Sequence, residues 1–316
     1  MSVLVLADDY DPSADAMVRS LHDRDAVVHR VNTAWFPGQL SMSAELAGGR
    51  WSGCLRTPYR TIELDGITAV WVRSPKAFNF PAEMSAAERG FANLEAKYGF
   101  GGVLTSLPAL WVNQPARAAG ANFKPVQLTT AARCGLTVAD TVITNDPQAV
   151  REFAAGGRTV SKVLGANTIV EDGGRKLGYT RVLDAADLDD LRGVDTTTHL
   201  FQRWAPKMHE ARVIVVGDQL TAVAIHAGSA AGYVDWRIDY DSLRYDLIEP
   251  PESVAAAIRA VMAELGLVYG AFDFVCGSDG WTFLEVNPGG QFGWLEDATG
   301  APITGQLADL LAKGAA

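Results

Sequence analysis

The chain has few cysteines, few histidines and a shortage of positive charge. Its three cysteines (Cys54, Cys134 and Cys276) are odd in number and share no paired spacing. This excludes a disulfide framework and a zinc centre, and makes a reducing, cytoplasmic setting the expectation. No activating group flanks Cys134 or Cys276, which argues against thiol catalysis. Five histidines are too few and too scattered for a histidine-rich metal site, and His29, His209 and His226 read as structural. Lys and Arg number 27 against 37 Asp and Glu, a net charge of -10. Such a balance argues against nucleic acid as a partner. No apolar run approaches the length of a membrane span. The N-terminus enters an apolar segment without a basic leader, so no signal peptide is expected. Repeats and low-complexity tracts are absent.

What remains is 316 residues of globular composition, 48% hydrophobic and 20% charged, enough for two or three domains. Near the C-terminus, Trp281-Thr-Phe-Leu-Glu285-Val-Asn287 reads as a strand that runs into Pro288-Gly-Gly. Residues i and i+2 of a strand share a face, so Glu285 and Asn287 present two oxygen donors side by side. A buried carboxylate needs a cation or a metal. Gly270-Ala-Phe-Asp273-Phe-Val-Cys276 is a second apolar strand with one carboxylate, and Gly277-Ser-Asp-Gly280 reads as the hairpin turn between them. Folding that hairpin brings Asp273 towards Glu285 and Asn287. A set of hard oxygens without His or Cys suits Mg2+, which commonly serves substrate phosphates.

Upstream, Val3–Ala7 reads as a buried parallel strand, residues 14–23 as a helix capped by Ser13, and residues 26–31 as a second strand: a βαβ unit. Residues 51–55 and 61–64 read as a small hairpin. Residues 69–72 form a further strand that ends at Arg73, where α/β sheets bind ligands, although a solvated strand end serves equally. Residues 85–98 read as a helix and 111–115 as a strand, completing an α/β domain over 1–115. Lys124 precedes Pro125 and a helix over 126–134. Pro125 favours an extended Lys124 beside free N–H groups, a good phosphate position, with a solvated lysine as the plain alternative. Lys162 interrupts an apolar strand and needs an anion or a route to water. Gly165-Ala-Asn and the turn Glu171-Asp-Gly-Gly-Arg175 punctuate a β segment able to act as a lid. Residues 198–206 read as an edge or crossover strand ended by Pro206. Glu210 and Arg212 share one face of the strand over 210–216, and Gly217-Asp218 turns it into a hairpin. A buried Arg212 implies a planar anion or an internal ion pair.

The order of these features resembles the ATP-grasp superfamily along essentially the whole chain. Within it, Val70-Trp-Val-Arg73, Gln202–Pro206, Glu210-Ala-Arg-Val213, Asp235-Trp-Arg237 and Glu285-Val-Asn-Pro-Gly-Gly-Gln-Phe-Gly-Trp-Leu295 resemble graspetide synthetases of the microviridin-ligase type, actinobacterial branch. The family more often carries Asn at the position of Gly289 and Trp at that of Phe292. The resemblance implies an N-terminal pre-ATP-grasp domain (1–115), a central ATP-grasp lobe with lid (116–205) and a C-terminal lobe bearing the metal site (206–316). It implies Lys124 and Lys162 on the ATP phosphates; Gln202, Arg203, Trp204 and Ala205 at adenine; and Glu210 at the ribose. It also implies Mg2+ ions on Asp273, Glu285 and Asn287. Arg212 would stabilise the transferring phosphoryl group, and Arg73 and Arg237 would contact the substrate. The expected activity is an ADP-forming ligase. It would activate Asp or Glu side chains of a ribosomal precursor peptide, with leader and core, for attack by Ser/Thr hydroxyls or a Lys amine. A homodimer is the implied assembly. A ligase for an amino acid or small peptide shares every ATP contact and stands as the alternative. A non-catalytic scaffold would lack a metal ligand or a phosphate lysine.

Overall fold

A computed structural model describes residues 2–165, 168–171 and 174–315. The turn positions 166–167 and 172–173 lie outside the described residues. Near-continuous apolar sequence dictates the first sheet. β1 (Ser2–Leu6) is buried along its whole length. α1 (Pro12–His22) returns the chain to β2 (Val27–Val31) beside it. The cap of α1 is Asp11, whose Oδ1 accepts from Ala14 N–H at 3.1 Å. Ser13 therefore falls inside the helix, because Pro12 already occupies its first position.

An antiparallel sheet of β3 (Ser41–Ala47), β4 (Arg50–Arg56) and β5 (Thr61–Glu63) is inserted next. The hairpin read from sequence is its second half; β3 is exposed and rich in small residues, and gives little apolar signal. Gly53 is required here: its φ is 126°, and a Cβ would stand 2.1 Å from Ser43 O. β6 (Ile67–Val72) follows. α2 (Ala86–Thr105) opens on a Ser85/Glu88 capping box and runs past Tyr98 through three glycines, held by buried Phe100, Val103 and Leu104. β7 (Leu110–Val112) completes a parallel sheet of order β2-β1-β6-β7.

The chain continues through α3 (Pro115–Ala121), α4 (Lys124–Arg133) and β8 (Thr137–Val138). β9 (Thr141–Thr144), α5 (Pro147–Ala155, capped by Asp146) and β10 (Thr159–Lys162) follow. β11 (Thr168–Glu171) and β12 (Gly174–Leu177) pair as a separate hairpin. After β13 (Arg181–Val182) and α6 (Ala185–Asp189) comes β14 (His199–Arg203). The order β13-β10-β14-β9 puts β14 between two strands rather than at an edge. Pro206 lies three residues beyond its end and interrupts no ladder bond.

β15 (His209–Val216) and β16 (Gln219–His226) form the expected hairpin. Beyond α7 (Ala230–Val234), β17 (Arg244–Ile248) and α8 (Glu252–Leu265) stand β18 (Tyr269–Gly277), β19 (Gly280–Asn287), α9 (Gly293–Thr299) and α10 (Ile303–Lys313). The last sheet has order β17-β16-β15-β18-β19-β8, so a short strand from before β9 closes its edge. One core joins β1 and α1 to β15, β18 and α10; another packs α8 on the opposite face around Phe272, Phe274 and Phe283. Among the described residues no helix is long and apolar enough to cross a membrane. Phe272 is fully buried. Phe272→Ala is expected to lower unfolding free energy by about 3–5 kcal/mol, read from the urea midpoint.

Candidate active site

Register builds the site. β15 pairs with β18 so that Arg212 faces Asp273, and β18 pairs with β19 so that Asp273 faces Glu285. Three charged residues thus form one row across three neighbouring strands. A bulge leaves Leu284 extra on β19 immediately before Glu285. Asn287 follows on the same face, its Nδ2 3.3 Å from Glu285 Oε1. The expected convergence of Asp273, Glu285 and Asn287 is present.

Arg212 meets Asp273 with two bonds along one guanidinium edge, Nε–Oδ1 at 2.7 Å and Nη2–Oδ2 at 2.8 Å, with both residues buried. Of the two readings open for Arg212, the structure contains the internal ion pair. Arg237 reaches Asp273 Oδ2 at 3.3 Å and Glu285 Oε1 at 3.4 Å. It is braced by Asp235, whose Oδ1 accepts from Arg237 N–H at 3.1 Å and whose Oδ2 accepts from Thr180 N–H at 2.9 Å. Lys124 forms an ion pair with Glu285 Oε2. It is the first residue of α4, not an extended residue ahead of the helix; Phe123 is the cap and Pro125 fits the first turn. Lys162, at the end of β10, faces the same carboxylate from the opposite sheet. Burial lowers its pKa, Glu285 counteracts, and Lys124 adds to the lowering.

Two spaces adjoin this row. The larger, about 710 Å³, is lined by Lys124, Lys162, Arg237 and Glu285 together with Trp236, Tyr240 and Trp294. Trp236 and Trp294 pack at 5.1 Å between centroids, and the Arg237 guanidinium lies 4.7 Å from the Trp236 ring centroid. The narrower cleft runs between Gln202–Ala205 and the β18–β19 face, with Glu210 and Lys207 at its wall. Glu210 is buried and 2.5 Å from Lys207 Nζ; burial raises its pKa and Lys207 opposes the rise. Gln202 Nε2 donates to Thr141 Oγ1 at 2.9 Å. The side chain of Arg203 is turned back onto the end of α5, donating to Phe153 O at 2.9 Å and Thr159 Oγ1 at 3.0 Å. It leaves only its backbone towards the cleft. Trp204 lies between Arg158 at 4.4 Å and Lys207 at 5.7 Å.

Arg73 stands outside both spaces. Its guanidinium is held by Asp11 and Ser13 at 3.2 Å each and donates to Gln291 Oε1. The first sheet is thereby clasped to the loop after β19. Sequence reasoning missed Lys207, Arg158 and the aromatic wall, whose partners are remote in the chain. It also missed two buried amides, Asn113 and Gln127, which carry no charge to mark them.

The donor set fits Mg2+: two carboxylates and a carboxamide, all hard oxygens. Among the described residues no group of three or more His, Cys, Asp or Glu could hold a metal ion.

Comparison with known proteins agrees with this geometry. Residues 2–119 match the MvdD pre-ATP-grasp domain. No curated protein matches by sequence. Among solved structures, a Chryseobacterium gregarium RiPP-associated ATP-grasp ligase in complex with ADP, and a leader and core peptide, superposes with TM-score 0.90 at 26% identity, covering 99% of this chain and 97% of that one. Macrocyclase MdnC of Microcystis aeruginosa MRC, bound with precursor peptide MdnA, gives 0.86 at 27% identity over 99% of both chains. Macrocyclase MdnB of the same organism gives 0.79 at 29% over 98% of both. The chain therefore has the ATP-grasp fold behind a pre-ATP-grasp domain, and is an ATP-grasp ligase. The matching N-terminal domain and the whole-chain likeness make it similar to RiPP-associated ATP-grasp ligases and macrocyclases.

Burial alone would raise the pKa of Glu285, but the Lys124 charge and hydrogen bond, then Arg237, outweigh it and hold the carboxyl at about 2, below its ordinary 4.5. A depressed carboxyl stabilises the fold above its unfolded value and loses that contribution as pH falls. The urea midpoint should therefore drop between pH 4.5 and 2, and Lys124→Met should flatten that drop.

Proposed function

We propose that this chain is an ATP-dependent ligase that closes rings in a ribosomally made precursor peptide. The observation that carries the reading is the row Arg212–Asp273–Glu285, bordered by Lys124, Lys162 and Arg237 at the mouth of a 710 Å³ cavity. Four cations, Lys124, Lys162, Arg212 and Arg237, around one space with Glu285 and Asp235 suit a polyphosphate beside a substrate carboxylate.

Adenine would lie in the narrow cleft against the backbone of Gln202–Ala205, with Glu210 towards the ribose. Lys124 and Lys162 would meet the phosphates from two different sheets. Asp273, Glu285 and Asn287 would hold Mg2+, which neutralises phosphate charge when bound. On nucleotide binding Lys124 would exchange Glu285 for a phosphate oxygen. Arg237 then orients the Asp or Glu side chain of the peptide, and Arg212 holds Asp273 in place while adding positive potential to the transferring phosphoryl group. The side-chain carboxylate attacks the γ-phosphorus, the bond to the bridging oxygen breaks, and ADP leaves an acyl-phosphate. A Ser/Thr hydroxyl or Lys amine attacks the acyl carbon, its proton passes to solvent, and inorganic phosphate departs. The peptide loses one water per ester or amide formed. No group of the protein forms a bond to substrate, in keeping with phosphoryl transfer driven by positioning and charge.

Arg73 supports the peptide side of the cavity through Gln291. The reading includes a leader segment docked on the enzyme, a homodimer, a cytoplasmic setting, and the division into 1–115, 116–205 and 206–316.

The test supplies enzyme, ATP, Mg2+ and the short Thr/Ser- and Asp/Glu-rich peptide encoded beside the gene. Loss of one water per link, with stoichiometric ADP, is expected; mild alkali would reopen esters and spare amides. A peptide of unchanged mass, together with ADP release stimulated by a free amino acid, would overturn the reading. Arg237→Met should lower the ring-forming rate by about 10²–10³-fold, because the cation that orients the attacking carboxylate is removed.

A further inference from the structure

Val286 lies between Glu285 and Asn287 on β19, and its backbone groups point away from β18. That outer edge is covered by β8 only at Thr282 and Phe283. Beyond Phe283 it meets α4 instead of a strand. Gln127 of α4 is 3% exposed and fills the gap. Its Oε1 accepts from Val286 N–H at 3.0 Å, and its Nε2 donates to Val286 O at 2.8 Å and to Ala121 O at 2.6 Å. One side-chain amide thus does for this edge what a neighbouring peptide group does elsewhere in the sheet. The location is significant. The bulge at Leu284 disrupts the ladder just before Glu285, where register is least secured by strand pairing.

Gln127 also sits three residues after Lys124, on the same face of the same helix. α4 therefore grips β19 twice, through the charge of Lys124 on Glu285 and the amide of Gln127 on Val286. On the far side of Asn287, Asn113 is equally buried and donates to Pro288 O at 2.7 Å and Tyr269 O at 2.7 Å. The backbone flanking Asn287 is pinned on both sides by buried amides.

We propose that Gln127 is a positioning residue: it aims Glu285 and Asn287 into the cavity and ties them to Lys124, so that the metal ligands and one phosphate contact move as a single body. The inference rests on the reading of Glu285 and Asn287 as Mg2+ ligands. A residue that merely satisfied buried backbone groups would contribute stability alone. A positioning residue also sets the affinity for Mg2+.

The experiment titrates Mg2+ into protein holding adenylyl imidodiphosphate, by calorimetry, and follows amide exchange at Val286. Gln127→Met is compared with Val261→Ala, a fully buried variant within the core that α8 forms against β18 and β19, and with Glu285→Gln. Gln127→Met should raise the half-saturating Mg2+ concentration by about tenfold or more, the size typical of lost support behind a metal ligand, and should speed exchange at Val286. Val261→Ala should lower the melting temperature without moving Mg2+ affinity. A Gln127→Met shift no larger than that of Val261→Ala would overturn the proposal. If Gln127→Met does not fold, Gln127→Glu, which keeps the acceptor and loses the donor, is judged by the same criterion. Glu285→Gln with unchanged Mg2+ affinity would overturn the metal reading itself, whereas a weakened Glu285→Gln beside an unaffected Gln127→Met would sink only the role of Gln127.

Discussion

Everything in the site depends on keeping charges out of water. A carboxylate or guanidinium moved into a protein interior loses several kcal/mol of hydration, and only close, well-aligned partners offset the loss. Arg212 and Asp273 meet that demand with a two-point bond at the centre of a six-stranded sheet. Their neighbours follow from it. Asp273 fixed by Arg212 stands opposite Glu285, Glu285 draws Lys124 and Arg237, and Arg237 is braced in turn by Asp235. The row is a chain of mutual neutralisation, assembled by strand register and oriented before any nucleotide arrives. On the proposed reading, a polyphosphate entering it would exchange partners with groups already desolvated, which is the condition under which electrostatic stabilisation of phosphoryl transfer is strong.

Much of this row was legible in the sequence because strand periodicity is simple. Glu285 and Asn287 two apart, Asp273 inside an apolar strand and a two-residue turn between the strands are enough to bring the three together. The sheet in which β14 is central was less legible, since a terminal proline looks the same at an edge as it does three residues past a protected strand. β3 was missed although Ser41-Met-Ser-Ala-Glu-Leu46 alternates polar and apolar residues, because its apolar positions are small or half-exposed and the signal is weak. Lys124 was located correctly as a residue at a helix start and wrongly as an extended one, because proline restricts its predecessor without forbidding the first helical turn.

The roles of Arg73 and Gln127 lay beyond local reasoning altogether. Arg73 ends a strand in a place where ligands often bind, but Gln291, 218 residues away, occupies it. Gln127 looks like any helix polar residue; its meaning comes from Val286, 159 residues on. Periodicity reports which face a residue is on, not what stands against that face. Uncharged buried amides are the worst served, because nothing in composition distinguishes them from solvated ones.

β8 has a mechanical consequence. Two residues of the segment between α4 and β9 belong to the C-terminal sheet, so α4 and Lys124 travel with Glu285, while Lys162 belongs to the sheet of β10 and β14. The two phosphate-facing lysines are mounted on separate jaws. They are like charges, and the Lys124 charge adds to the lowering of the Lys162 proton affinity that burial begins. On the proposed reading, bringing the two sheets together would work against electrostatic repulsion, and the triphosphate would be the latch: its negative charge between the lysines would favour the shut position, and its departure with the products would let the sheets part.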